Sequence, residues 1–176
     1  MHNSLILLEK IILEPPVRQI YSRLGFKKKT TSLSAPQKKE TDLLIREAQA
    51  LIALQGVFCS VPILQNDGET VDLADGLLFR SRKLAAFLGD CREAVLLGAT
   101  AGSAIMDAIR EKSAADQMTA AVVYDATASE MADAALDWIT DYLNRQLLRE
   151  RKQLLSRRFS AGYADFSLEN QKVIYE

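Results

Sequence analysis

The chain is poor in histidine and cysteine, and each scarcity excludes a class of chemistry. Among its 176 residues stand one histidine, His2, and two cysteines, Cys59 and Cys91. With a single histidine at the N-terminus, we exclude a Ser-His-Asp triad and a histidine-rich zinc site. The two cysteines match no metal-ligand spacing and no disulfide framework, which indicates a reducing compartment.

The chain also lacks an excess of either charge and a long apolar run. The sequence has 22 basic and 23 acidic residues, so no global electric field favours nucleic acid or a lipid surface. The apolar stretch from Leu5 to Leu13 is interrupted by two charges and is too short to span a bilayer. It has neither a basic n-region nor a clear cleavage site. We therefore expect a cytoplasmic protein with no membrane partner and no nucleic-acid partner.

The length favours a single domain, because 176 residues can bury one good core but are few for two. We expect residues 1–15 to form an N-terminal arm, as a strand or packed segment, and residues 16–176 to form one domain. Pro15 and Pro16 predict a short helix that runs to about residue 24 and stops at Gly25. The run Lys27-Lys28-Lys29 predicts a solvated linker, with a basic ligand patch as the alternative.

The remaining elements follow from apolar periodicity and from glycine and proline punctuation. The pattern predicts helices over residues 36–54, 81–88, 104–112 and 115–152, the last kinked near residues 127–129, and strands over residues 57–63, 69–73 and 94–98. The first two strands form a hairpin, and the third is an apolar run typical of a strand covered on both faces.

The long helix carries an apolar stripe in its second half. Met131, Ala135, Trp138 and Tyr142 recur on one face, which is typical of a helix packed against a core. Together these elements predict an α+β fold, in which a small, largely antiparallel twisted sheet packs against a long helix and flanking helices.

A glycine-punctuated turn joins the third strand to the next helix. Gly98 and Gly102 frame this turn, and the N–H groups at a helix N-terminus attract anions such as phosphate. The spacing matches neither a Walker loop nor a dinucleotide fingerprint, since no Lys-Ser/Thr pair follows. A phosphate-binding enzyme built on this turn therefore stands as an alternative to simple close packing of the backbone.

Asp133 lies on the long helix, opposite the apolar stripe. Val122, Ala126 and Ser129 precede it in the same angular row at the helical period. Asp133 is thus the first carboxylate next to small, mostly apolar side chains, where low local dielectric would strengthen its bond to an ammonium or a hydroxyl group of a ligand. The alternative is an ordinary solvated aspartate, which is common on helix surfaces.

The last twenty residues hold the strongest candidate for a binding site. Arg158 offers a fork of donors suited to a carboxylate or a phosphate. Four residues later, Gly162 lets the backbone approach a ligand closely, while the ring of Tyr163 can cover it. Ser160 stands in the flexible Ser-Ala-Gly stretch that leads to Tyr163. Together these residues predict a loop that wraps an anionic small molecule. No histidine, cysteine or carboxylate pair nearby provides a nucleophile or a base, so we expect no catalytic residue here.

Residues 158–167, Arg-Phe-Ser-Ala-Gly-Tyr-Ala-Asp-Phe-Ser, resemble a known motif. The motif is the Arg-x-x-Pro-Gly-Tyr-x-x-x-Pro stretch of the activation domain of cobalamin-dependent methionine synthase, and the likeness is closest to the stand-alone bacterial form. Further landmarks follow in the same order: residues 56–63 are similar to the family's strand ending in Pro-Ile, residues 84–102 to its helix, strand and turn, and residues 125–134 to its long helix. The resemblance covers residues 16–176.

This resemblance implies binding of S-adenosylmethionine, in support of reductive methylation of a corrinoid. Arg158 would take the methionine carboxylate, Gly162 would allow backbone approach, Tyr163 would contact the ligand, and Asp133 would stand where the family has a glutamate. Since the chain has no Asp-x-His-x-x-Gly motif, cobalamin would arrive on a partner, a methionine synthase or another corrinoid protein. A flavodoxin-type reductant would supply the electron. The chain would then act in trans as an accessory or subunit rather than as a self-contained enzyme.

The chain departs from the family pattern at several points. Ala161 and Ser167 replace prolines, and Asp133 is one methylene shorter than glutamate. The sequence ends before the family's later strand, so we expect a domain truncated at its C-terminus whose exposed sheet edge would favour a homo-oligomer. These departures favour the alternative function, a degenerate interaction or structural module that keeps the fold without ligand binding.

Overall fold

A computed structural model describes residues 5–26 and 32–175. Within them the strands are β1 (Ile6–Leu8), β2 (Gln55–Asn66), β3 (Thr70–Leu73), β4 (Leu78–Arg80) and β5 (Glu93–Thr100). The helices are α1 (Val17–Arg23), α2 (Ala35–Leu51), α3 (Arg82–Leu88), α4 (Ser103–Ala114), α5 (Met118–Leu147) and α6 (Asn170–Tyr175). The predicted hairpin and the helices at α1, α2, α3 and α4 are confirmed, with ends within a few residues of the expected ones.

The strands form one sheet with the order β1-β2-β3-β4, and β5 also pairs with β2. The β2–β3 and β3–β4 pairs are antiparallel, with Val71 opposite Asn66 on one side and Phe79 on the other. A bulge between Ile63 and Gln65 shifts the β2–β3 register and increases the local twist. The predicted α+β class, with an antiparallel sheet and flanking helices, is confirmed.

The described residues divide into two compact units. The sheet unit contains the described residues up to Ile6, Phe58–Leu97 and the described residues from Glu150 onward. The helical unit contains the described parts of Leu7–Val57 together with Gly98–Arg149. Strands β1, β2 and β5 contribute residues to both units. The expected division into an arm of residues 1–15 and one domain of residues 16–176 stays a prediction.

In the helical unit, α2 begins where its side chains can cap it. The Ser34 side chain accepts the N–H of Gln37, and the Gln37 side chain accepts the N–H of Ser34, which forms a capping box. The helix then buries Ile45 against Ile20 of α1 and Val123 of α5. This apolar contact holds the three helices together in the helical unit.

Helix α5 differs from the expected helix in its bounds, its continuity and its buried face. It runs over Met118–Leu147 instead of residues 115–152, after a turn at Asp116, whose φ is 59°, and it continues through residues 127–129 where a kink was expected. Its buried face includes Met131 and Ala135, as predicted, but then Ile139 and Leu143. Trp138 and Tyr142, which were predicted to belong to the buried face, lie half-buried beside it. Their rings stack with their centroids 5.6 Å apart. All four predicted residues keep the helical period, so the period alone could not show that the buried face turns toward Ile139 and Leu143, which the packing neighbours of α5 decide.

In the sheet unit, the core forms between the hairpin, α3 and the C-terminal part of the chain. Val71, Leu73 and Phe79 of β3 and β4 pack with Leu84 of α3 and with Phe166. Strand β4 is absent from the predicted elements, since three residues before a helix show no periodicity. Strand β5 is half-buried along most of its length, so the expectation of a strand covered on both faces is wrong.

Two expectations fall on residues outside the described ranges, namely the position of His2 and the linker at Lys27-Lys28-Lys29. Along the described residues, the helices include none of the length and apolarity needed to cross a membrane.

Candidate functional site

Residues 158–167, here called the terminal segment, form an irregular loop that aromatic side chains anchor at two points. The ring of Phe159 lies 5.3 Å from that of Phe87 in α3. The ring of Phe166 is 3% exposed and meets Phe79 edge-on at 5.3 Å. Because large apolar rings supply much burial energy, these contacts fasten the segment to the core of the sheet unit.

Between the two anchors, the backbone closes a compact turn. The N–H of Tyr163 donates to the carbonyl of Ser160 at 3.1 Å, and the N–H of Phe166 donates to the carbonyl of Tyr163 at 2.9 Å. The N–H of Gly162 donates to the carbonyl of Phe166 at 2.7 Å. Gly162 has a φ of +91°, which explains why a glycine stands there, since residues with a Cβ rarely adopt this conformation.

Four of the five predicted site residues belong to this turn or to its approach. Ser160, Gly162 and Tyr163 are exposed, with 60% of Tyr163 open to solvent, and Arg158 is half-buried. The centroid of the Tyr163 ring lies 6.3 Å from that of the Phe159 ring in an edge-on arrangement, so the exposed ring packs against a partner on one side. An arginine, a glycine backbone and an exposed ring on one anchored turn can bind a small carboxylate or phosphate compound. The role of each residue as a ligand contact stays a prediction.

Asp165 links the terminal segment to the beginning of α3. Its carboxylate accepts the hydroxyl of Ser81 and the backbone N–H groups of Arg82, at 2.9 Å, and of Lys83. The Ser81 hydroxyl bond is the largest cause that lowers the pKa of Asp165; the backbone N–H bonds lower it further, while burial opposes them. The aspartate is therefore engaged within the protein as a helix cap.

The fifth predicted site residue, Asp133, belongs to the helical unit. Its carboxylate lies 3.7 Å from the guanidinium of Arg23, which donates at 2.6 Å to Glu130, and the Asp133 side chain is 57% exposed. Of the residues that precede Asp133 in the same angular row of α5, Val122 is exposed and Ala126 is buried. Asp133 thus has a protein partner on an open surface, where an ion pair of this length contributes little to stability. Its part in ligand binding stays a prediction.

The glycine-punctuated turn before α4 has a packing role. A Cβ on Gly102 would lie 3.2 Å from the carbonyl oxygen of Ala53, and Gly102 has a φ of +88°. The N–H of Ala53 donates to the carbonyl of Ala101 at 2.9 Å beside it. The glycine therefore allows two backbones to approach closely, and this contact explains the residue without a phosphate.

The described part of the chain contains no cluster of three or more histidine, cysteine and acidic residues that could hold a metal ion. Cys59 and Cys91 are free thiols of intermediate exposure. Burial, with a smaller effect from Asp75, raises the pKa of Cys59, so this thiol is less nucleophilic than usual.

The sequence did not reveal Asp165 and Ser81 as partners. Ser81 precedes an apolar-periodic stretch, and this local signal is typical of a helix cap. The second cap of α3, the carboxylate of Asp165, lies 84 positions further along the chain, and no local sequence pattern indicates such a contact.

Comparisons with known proteins extend these observations to the fold. No protein-family model matches the chain, and no curated protein sequence matches it. Among solved structures, the chain is similar to the crystal structure of the MetH reactivation domain bound to AdoHcy, with a TM-score of 0.59 and 11% sequence identity. The similarity covers 99% of this chain and 69% of that one. At this identity the comparison establishes a shared fold.

Proposed function

We propose that this chain binds S-adenosylmethionine and supports the reductive methylation, or reactivation, of a corrinoid held by another protein. The observation that carries the proposal is the similarity of fold, over 99% of the chain, to a reactivation domain solved with AdoHcy. AdoHcy is S-adenosylmethionine without its transferred methyl group, so a site that fits one fits most of the other. The partner would be a cobalamin-dependent methionine synthase or a related corrinoid methyltransferase.

The proposed ligand contacts lie on the terminal segment. Arg158 would pair with the carboxylate of the methionine moiety, and the Gly162 backbone would approach the ligand from the exposed side of the turn. Ser160 would offer a hydroxyl, and Tyr163 an exposed ring. The chemistry of these donors fits an amino-acid carboxylate joined to a flat base.

The proposed role requires binding and orientation from the protein, without a catalytic base. When bound, S-adenosylmethionine would supply the methyl group, and a flavodoxin-type reductant would supply the electron. The residues of this chain would hold the ligand in place for a corrinoid that arrives on the partner. The terminal segment fits such a role, since it offers donors and a ring, and its sequence holds no histidine or cysteine.

The site assignment is tested with two neighbouring arginines. Arg158→Ala is expected to weaken S-adenosylmethionine binding about tenfold or more, because a charge-assisted bond to the carboxylate is lost. Arg157→Ala removes the same charge one residue earlier, where the side chain is exposed, and is expected to bind almost as the wild type does. Calorimetric titration measures both. Equal affinity in Arg158→Ala and wild type would remove the site assignment.

Asp133 is tested separately on the helical unit. Asp133→Asn is expected to weaken S-adenosylmethionine binding, whereas Asp141→Asn, an exposed aspartate two turns along α5, is expected to leave it unchanged. The same titration applies. Matching affinities for these two variants would identify Asp133 as an ordinary surface residue.

The corrinoid part of the proposal has its own assay. A cobalamin-dependent methionine synthase without an activation domain, in its inert Co(II) form, is mixed with this chain, S-adenosylmethionine and a reductant. We expect methionine synthesis to resume only when all three are present. If the chain binds S-adenosylmethionine but synthesis does not resume, the partner assignment fails and the ligand assignment stands.

A degenerate interaction module is the second candidate function. It is favoured by Ala161 and Ser167, which stand where the family motif has prolines, and by the pairing of Asp133 with Arg23. This module would show no binding of S-adenosylmethionine at millimolar ligand. The titration of the wild-type chain therefore separates the two candidates.

A further inference from the structure

We propose that Asp165 is a positioning residue, which fastens the terminal segment to α3 and thereby holds the turn around Gly162 in its binding conformation. The effect on ligand affinity rests on the proposed function, whereas the effect on the order of the segment does not. Asp165 itself would make no contact with the ligand.

The bonds made by Asp165 are those of a helix cap supplied from a distance. The first N–H groups of a helix lack partners within it, and here the carboxylate accepts two of them, from Arg82 and Lys83. Ser81 completes the cap, because its hydroxyl accepts the N–H of Leu84 at 3.0 Å and donates to Asp165. Both carboxylate oxygens are therefore engaged by α3.

The location of this cap gives it a role beyond α3. Asp165 stands two residues after Tyr163 and directly before the buried Phe166. The hydrogen bonds of Gly162 and Tyr163 close the turn only on itself. The carboxylate is among the contacts that orient the turn, together with the two aromatic anchors on α3 and β4 and the packing of Ala161 on the same core. A loop held in its bound conformation before the ligand arrives loses less entropy on binding, so removal of this fastening should lower the affinity.

The other end of α3 offers a matched control. The side-chain amide of Asn66 donates to the carbonyls of Ala85, at 2.9 Å, and Gly89, at 3.1 Å. Asn66 therefore caps the same helix from the β2–β3 hairpin, and its bonds do not involve the terminal segment. Asn66→Ala should loosen α3 and leave the segment in place.

The test compares Asp165→Ala, Asp165→Asn and Asn66→Ala with the wild type in the full chain. Hydrogen exchange is measured at the amides of Gly162 and Tyr163. We expect exchange about fivefold to tenfold faster in Asp165→Ala, with a smaller increase in Asp165→Asn, which keeps one acceptor oxygen. Asn66→Ala should exchange at the wild-type rate at both amides.

Calorimetric titration with S-adenosylmethionine provides the second measurement. We expect affinity to fall about fivefold to tenfold in Asp165→Ala and to stay unchanged in Asn66→Ala. Exchange at Gly162 and Tyr163 that is the same in Asp165→Ala as in the wild type, or equally fast in Asn66→Ala, would overturn the proposal. If the wild type does not bind S-adenosylmethionine, the proposed function fails, and the exchange rates still decide whether Asp165 holds the segment.

Discussion

Arg158 and Asp165 carry opposite charges near the two ends of the terminal segment and have different environments. Arg158 is half-buried directly before the Phe159 anchor, while the Asp165 carboxylate is bound to the beginning of α3. Sequence alone could predict Arg158 as a candidate for anion binding, because an arginine near Gly-Tyr is a recognisable pattern for that role. It could not identify Asp165, since the cap joins residues that are distant in sequence.

Gly162 provides a prediction at the residue scale. Gly162→Ala is expected to lower the free energy of unfolding by about 1 kcal/mol, because alanine is strained at positive φ. Gly68→Ala is the matched control: Gly68 has a φ of +88°, close to the +91° of Gly162, and lies in the β2–β3 turn. Urea denaturation should show similar losses in both variants.

S-adenosylmethionine binding should distinguish these two glycines. Only Gly162→Ala is expected to weaken it in a calorimetric titration, because only Gly162 belongs to the proposed site. Equal affinities for the two variants would contradict the requirement for backbone approach at Gly162.

At the scale of elements, local sequence signals predicted the ends of helices, which local chemistry determines. The sequence predicted the beginning of α2 within one residue, although not its Ser34–Gln37 cap, and it predicted the end of α3 at Gly89, which has a φ of 49°. The errors arose where tertiary contacts decide. Which face of α5 is buried depends on its neighbours, and β4 exists because it pairs with β3. Such pairings leave little trace in three residues of sequence.

The cap of α3 leads to a prediction for pH. The pKa of Asp165 is lowered in the folded protein, so its bonds stabilise the fold fully above the ordinary pKa of an aspartate, about 4. This contribution is lost as the pH falls through the lowered folded-state pKa. We expect the wild type to be more stable than Asp165→Asn near pH 7 and the difference to shrink on acidification, measured by urea denaturation. A difference independent of pH would contradict the role of the charged form.

At the scale of the whole molecule, the fold was predictable and the activity was not. The α+β class followed from the order and period of the elements, and the similarity to a reactivation domain agrees with it at 11% identity. A fold can persist when most side chains change, because apolar patterning and turn chemistry suffice to specify it. A binding site depends on a few side chains, and a shared fold at this identity does not show which of them contact a ligand. The site must therefore be established by measurement.

One measurement tests the central claim most directly, namely calorimetric titration of the wild-type chain with S-adenosylmethionine. We predict saturable binding of one ligand per chain, and competition by AdoHcy, which the structural neighbour holds. The absence of binding at millimolar S-adenosylmethionine would contradict the account and identify the chain as a module that kept the fold without the ligand.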